Sequence, residues 1–397
     1  MDKLQTYCCD SNLALEFKLV RKVEDIENAE TNFKPEMSHQ VYGDQESIFG
    51  YKGLKIKLYY TACQLKTYLG VEYETKIDSK VCKGIEADEV IEPLASKLDP
   101  GFYTNLDDFI KALDKEKTFK PFGELVKKFS VKDRDFEVYY CNIDEPGFKS
   151  FHKRLQTFLL WYIDAASFID EDDSKWCFFL LFEKFNLNGD SHYGICGYAT
   201  VYNYYAYPNL IRPRISQFLV LPPFQKIGLG ANLLNALYAK YVGESDVLDI
   251  TVEDPSDDFI RLRDFVDVKN CLPLKSFQQS AIKSGFSQEM VIEAKTAYKL
   301  NKKQARRVYE ILSLYYTNVN DPEDMKKFRL NIKNRLNVPF QKEQMDFDRL
   351  AKVMKPEELA SALSVMGREQ RLESLEQQYR TLEEHYRHIL LRLEASN

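Results

Sequence analysis

The sequence predicts an α+β fold: a mixed, mostly antiparallel sheet flanked by helices, set between an N-terminal α/β domain and a C-terminal helical domain. Three observations point to it. Stretches of the first half alternate at period two; residues 176 to 252 run strand, turn, strand, strand, glycine turn, helix, strand; and beyond Cys271 helical spacing continues without a strand pattern. A chain of 397 residues that is 44 % hydrophobic and 13 % aromatic can bury enough core for such a division. The expected domains are residues 1–145, 146–271 and 272–397.

In the first of these, Leu13, Leu15, Phe17 and Leu19 recur at period two, as do Leu54, Ile56, Leu58 and Tyr60. Asn105, then Asp107 and Asp108, then Phe109, Ile110 and Leu113 form an N-cap, first-turn acids and an apolar stripe, and Phe136 to Cys141 is again extended. Phe151, Leu155, Phe158, Leu159 and Tyr162 predict a helix over 151–168. Trp176 to Phe185 is a strand, Asn188-Gly189-Asp190 a hairpin turn, Tyr193 to Tyr204 the returning strand, and Arg214 to Leu221 a third that Pro222 and Pro223 end.

A glycine turn then opens a helix with the stripe Leu234, Leu237, Tyr238 and Tyr241. Val247 to Val252 alternates, Leu248, Ile250 and Val252 on one face and Asp249, Thr251 and Glu253 on the other. Pro255 stops it, and Ser256, with Asp257 and Asp258, caps a helix carrying Leu262, Phe265 and Val266. Pro322, Pro339 and Pro356 mark helix breaks. Leu372, Leu375, Tyr379, Leu382, Tyr386, Ile389 and Leu393 make a heptad seam over 368–395, suited to a partner or to packing within the chain. Lys302, Lys303, Arg306 and Arg307 read as a solvated helix face, with a role towards nucleic acid or a cofactor phosphate as the alternative, and His385 and His388 as surface or bundle residues.

Composition narrows the chemistry. No run reaches the roughly 18 to 20 apolar residues of a membrane span, and Met1 to Gln5 lacks a signal pattern, so a soluble protein without a membrane partner is expected. The eight cysteines include no CxxC pair, and the five histidines show no HExxH spacing, so no metal is expected. A net charge of −6 disfavours direct nucleic-acid binding and suits a cationic substrate.

Gln225-Lys226-Ile227-Gly228-Leu229-Gly230-Ala231 lies between a strand and an amphipathic helix. Its glycines permit close backbone approach, and the free N–H groups and dipole of a helix start suit the pyrophosphate of a nucleotide-type cofactor. It lacks the third glycine of a dinucleotide fingerprint and the Gly-Lys-Ser or Gly-Lys-Thr of a P-loop.

The succession around QxxGxG resembles the GCN5-related N-acetyltransferase superfamily. Arg212 to Gln225 (RPRISQFLVLPPFQ), Leu248 to Ser256 (LDITVEDPS), Leu262 to Phe265 (LRDF), Tyr202 to Tyr205 and Phe49 to Lys55 resemble the catalytic subunits of type B histone acetyltransferases. The likeness covers roughly residues 13 to 275 and fades over the C-terminal third. It implies transfer of acetyl from acetyl-CoA to lysines in the N-terminal tail of newly made histone H-four, with a WD-repeat histone-binding chaperone as partner, in nucleus and cytoplasm.

Acetyl-CoA would lie against the backbone of Phe218, Leu219 and Val220, with its pyrophosphate on Gln225 to Ala231. The resemblance makes Glu253 the general base, with Glu183 and Asp254 as nearby carboxylates expected to raise one another's pKa. Tail contacts map to Asp44, Gln45, Glu46, Tyr202, Asn203 and Tyr204, with Gln45 where an acid is expected. The alternatives are an N-acetyltransferase of the same fold for another protein lysine or a small amine, and a histone-binding scaffold.

Overall fold

A computed structural model of the chain describes residues 5–78, 84–352 and 367–395, so Cys82 and Pro356 lie outside the described residues. The chain forms two compact units, Met1–Asp254 and Pro255–Asn397.

The first unit opens with strands β1 (Cys8–Asp10), β2 (Leu15–Val20), β3 (Ser47–Phe49), β4 (Tyr51–Lys52), β5 (Lys55–Thr61), β6 (Thr67–Glu72) and β7 (Thr75–Lys76). β2 runs parallel to β5, which pairs antiparallel with β6. The two period-two patterns supply the inner face, burying Leu15, Phe17, Ile56, Leu58 and Tyr60. Leu13, expected in the first strand, is instead 72 % exposed in a short helix, Ser11–Ala14. The Asp10 carboxylate accepts the N–H groups of Asn12 and Leu13 at 2.8 and 3.1 Å, and this side-chain cap outcompetes the strand. Helix α1 (Leu106–Leu113) starts on Asn105, whose side chain accepts from the N–H groups of Asp107 and Asp108, and it buries Phe109 against Val20, Ile26 and Tyr59.

The larger sheet holds β8 (Glu124–Val131), β9 (Arg134–Asn142), β10 (Trp176–Leu187), β11 (Asp190–Ala206), β12 (Leu210–Val220) and β13 (Thr251–Val252), in the order β13-β12-β11-β10-β9-β8. Every neighbour pair is antiparallel except β12 with β13. Asn188 and Gly189, both at positive φ, make the two-residue turn from β10 to β11. Helix α2 (Phe148–Leu155) covers one face, its Phe148 and His152 rings each 4.7 Å from Phe178.

The helix expected over 151–168 ends at Tyr162, after a 3-10 turn and a single further turn. The Trp161 carbonyl accepts the N–H groups of Glu36 and Met37, and Ile163 is extended, so the aromatic run packs as tertiary core rather than as a longer helix. Helix α3 (Leu229–Val242) covers the opposite face with Leu234, Leu237, Tyr238 and Tyr241 buried, the last against Phe179.

The second unit is built on α4 (Asp257–Cys271), α5 (Gln288–Tyr298), α6 (Lys302–Tyr315), α7 (Pro322–Leu350) and α8 (Arg368–Glu394). Ser256 caps α4 by accepting the Phe259 N–H at 3.2 Å. The heptad seam packs within the unit, Leu375, Tyr379, Tyr386, Ile389 and Leu393 buried in contact with α4, α6 and α7, while Leu372 stays exposed. Pro322 opens α7, but Pro339, expected to break a helix, lies inside it. Proline there removes one bond, to the Arg335 carbonyl, and a helix of 29 residues retains enough others to continue. Among the described residues no helix is long and apolar enough to cross a membrane.

Candidate active site

The site begins where β12 and β13 part. They pair only at Arg214 with Thr251 and Ile215 with Val252, and the Glu253 N–H still reaches the Ile215 carbonyl at 2.9 Å. Beyond that row β12 runs on to Val220 with no strand beside that edge among the described residues. The register against β11 shifts at the same place: Val201 faces Ile215, while Ala199 faces Phe218, so Ser216 and Gln217 share a bulge. The Leu221 N–H donates to the Cys196 carbonyl at 2.8 Å, which by strand alternation turns Leu219 toward β11 and the backbone of Phe218 and Val220 toward the open edge. Of the three residues expected to face acetyl-CoA through their backbone, Leu219 is therefore aimed the other way.

A 3-10 turn, Pro222–Phe224, carries β12 into the glycine loop. The Gln225 side-chain amide donates to the Val220 carbonyl at 2.9 Å, tying the loop to the open edge. Lys226 and Gly228 both take positive φ, and a Cβ on Gly228 would meet nothing within 4 Å, so the glycine serves backbone conformation and leaves free space outside it. No side chain caps α3, so its first N–H groups face that space. Such a cradle fits a pyrophosphate. Among the described residues no group of three or more His, Cys, Asp or Glu could hold a metal.

Glu253 stands exposed just past β13, and Asp254 follows it exposed at φ 29°, a conformation that turns the chain sharply before Pro255. Arg212 on β12 grips Asp249 through two bonds of 2.6 and 3.1 Å, fixing the segment that presents Glu253.

Glu183 is not with them. One row of the sheet joins Val252, Ile215, Val201 and Cys177; Glu253 is one residue past that row and Glu183 six, three strands over. Their separation is on the order of 20 Å, too far for Glu183 to share a site with Glu253. Glu183 is 4 % exposed and accepts from Arg134 at 2.7 and 2.8 Å and also from Arg21. Burial pushes its pKa up, but the two guanidinium groups outweigh it and hold the carboxyl below its ordinary value; Arg134 is correspondingly raised. The Arg134 guanidinium lies 5.3 Å from the Phe224 ring centre, so the cluster braces the turn that leads into the glycine loop.

On the α2 face of the sheet, Tyr202 packs edge-on against Trp176 at 5.0 Å and against Tyr204 at 4.6 Å, and Arg214 caps Tyr204 at 4.5 Å. Asn203 points to the other face, donating to the Cys177 sulfur at 3.2 Å and accepting from the Tyr241 hydroxyl at 3.4 Å. It belongs to the packing under α3, apart from Tyr202 and Tyr204.

Asp44 and Gln45 are exposed. Glu46 is occupied internally: it accepts from the N–H groups of Ser38 and His39 and from the Asn12 amide, which hold its carboxyl below the ordinary pKa. His39 also bonds Asp164 at 3.0 Å. Asp164 lies three residues before Ser167, whose carbonyl accepts from Gln217 at the bulge. Sequence reading missed Asp164 because it fell inside the expected helix over 151–168, where an acid on the outer face carries no signal.

Residues 7–164 match the family described as "Histone acetyl transferase HAT1 N-terminus", and residues 263–314 match "Histone acetyltransferase type B catalytic subunit, C-terminal". Proteins named histone acetyltransferase type B catalytic subunit from Rattus norvegicus and Homo sapiens are each 46 % identical over 398 residues, which is 98 % of this chain and 94 % of theirs. One of that name from Dictyostelium discoideum is 35 % identical over 331 residues, 80 % of this chain and 70 % of its own.

Proposed function

The chain belongs to the histone acetyltransferase type B catalytic subunit family, and we propose that it acetylates lysines in the N-terminal tail of histone H-four by direct attack on acetyl-CoA, with Glu253 as general base. The observation that carries this reading is the coincidence of three features at one sheet edge: a stretch of β12 with no strand beside it among the described residues, a helix start beside Gly228 that no side chain caps, and an exposed carboxylate fixed where β13 ends.

Bound acetyl-CoA would supply an activated thioester, whose C–S bond breaks as the lysine amine adds to the carbonyl, releasing CoA as a thiolate that takes up a proton from water or from the substrate. Gln225 to Ala231 hold its pyrophosphate by backbone N–H groups, and the outer edge of β12 receives the rest of the donor. A lysine amine, with a pKa of about 10.4, is almost wholly protonated near pH 7 and must lose a proton before it attacks. Glu253 takes that proton while Tyr202 and Tyr204 flank the aliphatic stem and exposed Asp44 attracts the cationic tail. Asp254 orients the turn that presents Glu253. Burial pushes the Cys177 and Cys196 thiols up in pKa and so keeps them unreactive, in favour of transfer without an acyl-enzyme. A WD-repeat histone-binding partner, and work in both nucleus and cytoplasm, complete the proposal.

The test incubates the purified chain with acetyl-CoA and an H-four tail peptide and maps acetyl groups by mass spectrometry, then repeats it with Glu253→Gln. Tail-lysine acetylation that collapses in the variant, with acetyl-CoA affinity retained, is the expected result. Undiminished turnover in the variant would remove Glu253 as base, acetyl on Cys177 or Cys196 would remove direct transfer, and an unmodified tail despite acetyl-CoA binding would redirect the assignment to another amine.

A further inference from the structure

We infer that the second unit carries a binding site for a small anion bearing more than one phosphate, in the cavity at the start of α6. That cavity has a volume of about 770 Å³, within the range of small-molecule sites, and it is lined by Lys302, Lys303, Arg306, Arg307 and Arg335 against the single acid Glu310.

The acids of this region hold the arginines in place without cancelling the charge. Glu310, 1 % exposed, accepts from Arg306 at 3.0 Å, from Arg335 at 2.6 and 2.9 Å and from the Tyr386 hydroxyl at 2.8 Å. Asp264, also 1 % exposed, accepts from Arg307 at 2.6 Å and bonds His385 at 2.7 Å. Three guanidinium groups are thus pre-oriented by two carboxylates, while Lys302 and Lys303 are exposed and have no ion-pair partner among the described residues. Counting Asp264 behind the wall, five cations face two acids, an excess of three in a chain whose net charge is −6.

The backbone adds to that field. α6 begins at Lys302 with no acid in its first turn, and its positive dipole end coincides with four basic side chains, the reverse of what helix electrostatics favours. α5 presents its first residue, Gln288, to the same cavity. A cluster of like charge at a helix N-terminus is unfavourable alone and becomes favourable when an anion enters. Rigid guanidinium forks with two mobile ammonium groups match phosphate oxygens, and an excess of three charges calls for more than one phosphate.

The test titrates sodium tripolyphosphate, and separately inorganic phosphate, into the full chain by calorimetry at fixed ionic strength, using wild type, Lys302→Ala/Lys303→Ala and the charge-preserving Lys302→Arg/Lys303→Arg. Tripolyphosphate is expected to bind the wild type and the arginine variant alike, at least tenfold tighter than inorganic phosphate, and to weaken at least tenfold in the alanine variant. The affinity for CoA should stay unchanged in all three. Absence of tripolyphosphate binding, equal affinity in the alanine variant, or no preference over inorganic phosphate would overturn the inference. So would a parallel loss of CoA affinity in the alanine variant, because the cations would then serve the acetyl donor.

Discussion

Glu183 and Glu253 both close apolar stretches in the same sheet, yet their surroundings give them opposite properties. Around Glu183 the sheet is covered, and the carboxylate is committed to Arg21 and Arg134 beneath Phe224. Around Glu253 the sheet has split, and the carboxylate is exposed beside an edge of β12 that no strand covers among the described residues. A buried acid with two cations is fixed in its ionised form and braces a turn. An acid at an open edge can exchange protons with a substrate, and what separates the two is the depth of the sheet at each position.

The strongest way to break that contrast is Glu253→Gln, expected to lower kcat by about two to four orders of magnitude while the melting temperature barely moves; a large melting shift with normal turnover would reverse the two roles. Next is Glu183→Ala. Leaving two partly exposed arginines uncompensated should cost roughly 3 kcal/mol of stability, read by denaturant unfolding, with turnover per folded molecule falling far less than in Glu253→Gln. Stability unchanged in that variant would show the cluster to be dispensable.

A third test asks what burial does without a countercharge. His152 is fully buried, neither ring nitrogen has a hydrogen-bond partner among the described residues, and burial pulls its pKa down to about 4. Glu171 is 3.8 Å away, but at neutral pH the ring is neutral and no ion pair forms. Because the unfolded chain takes up the proton near pH 6.5 and the folded chain only near 4, stability should fall by about 2 kcal/mol between pH 6 and 4.5, on top of any other titration. His152→Leu should abolish that increment, and an unchanged slope in the variant would show that the ring does not titrate in this way.

Smaller still is Gly228→Ala. A Cβ there meets no atom, so only the positive φ opposes it, at about 1 kcal/mol, and the effect should appear as a raised KM for acetyl-CoA with kcat nearly kept. An unaltered KM would detach the glycine loop from the donor. Least of all, Asp44→Asn should raise the peptide KM only a few-fold, more at low salt than at high salt.

Much of this was legible in the sequence because local chemistry decided it. Asn105 and Ser256 cap the helices they were expected to cap, Asn188-Gly189 turns the hairpin, and the stripe on α3 is buried as its spacing required. What escaped notice depends on pairing. Nothing local says that Arg134 reaches Glu183, that Glu46 is taken up by Ser38 and His39, or that Arg306 and Arg307, expected on a solvated face, line a cavity with Glu310. Asn203 illustrates the limit most simply. It sits between Tyr202 and Tyr204 and, by strand alternation, has to look away from both. The bulge was hidden for a related reason, since an added residue in β12 is defined only against its partner.

That added residue makes β12 a strand with two reading frames. Up to Ile215 its odd-numbered side chains share a face with Val201 and Asn203; from Gln217 onward the odd numbers share the face of Thr200 and Tyr198. Removing Ser216 would restore a single frame between β11 and β12 along their whole shared length. The two strands would pair more regularly and lose the change of frame that the bulge sets between Ile215 and Phe218.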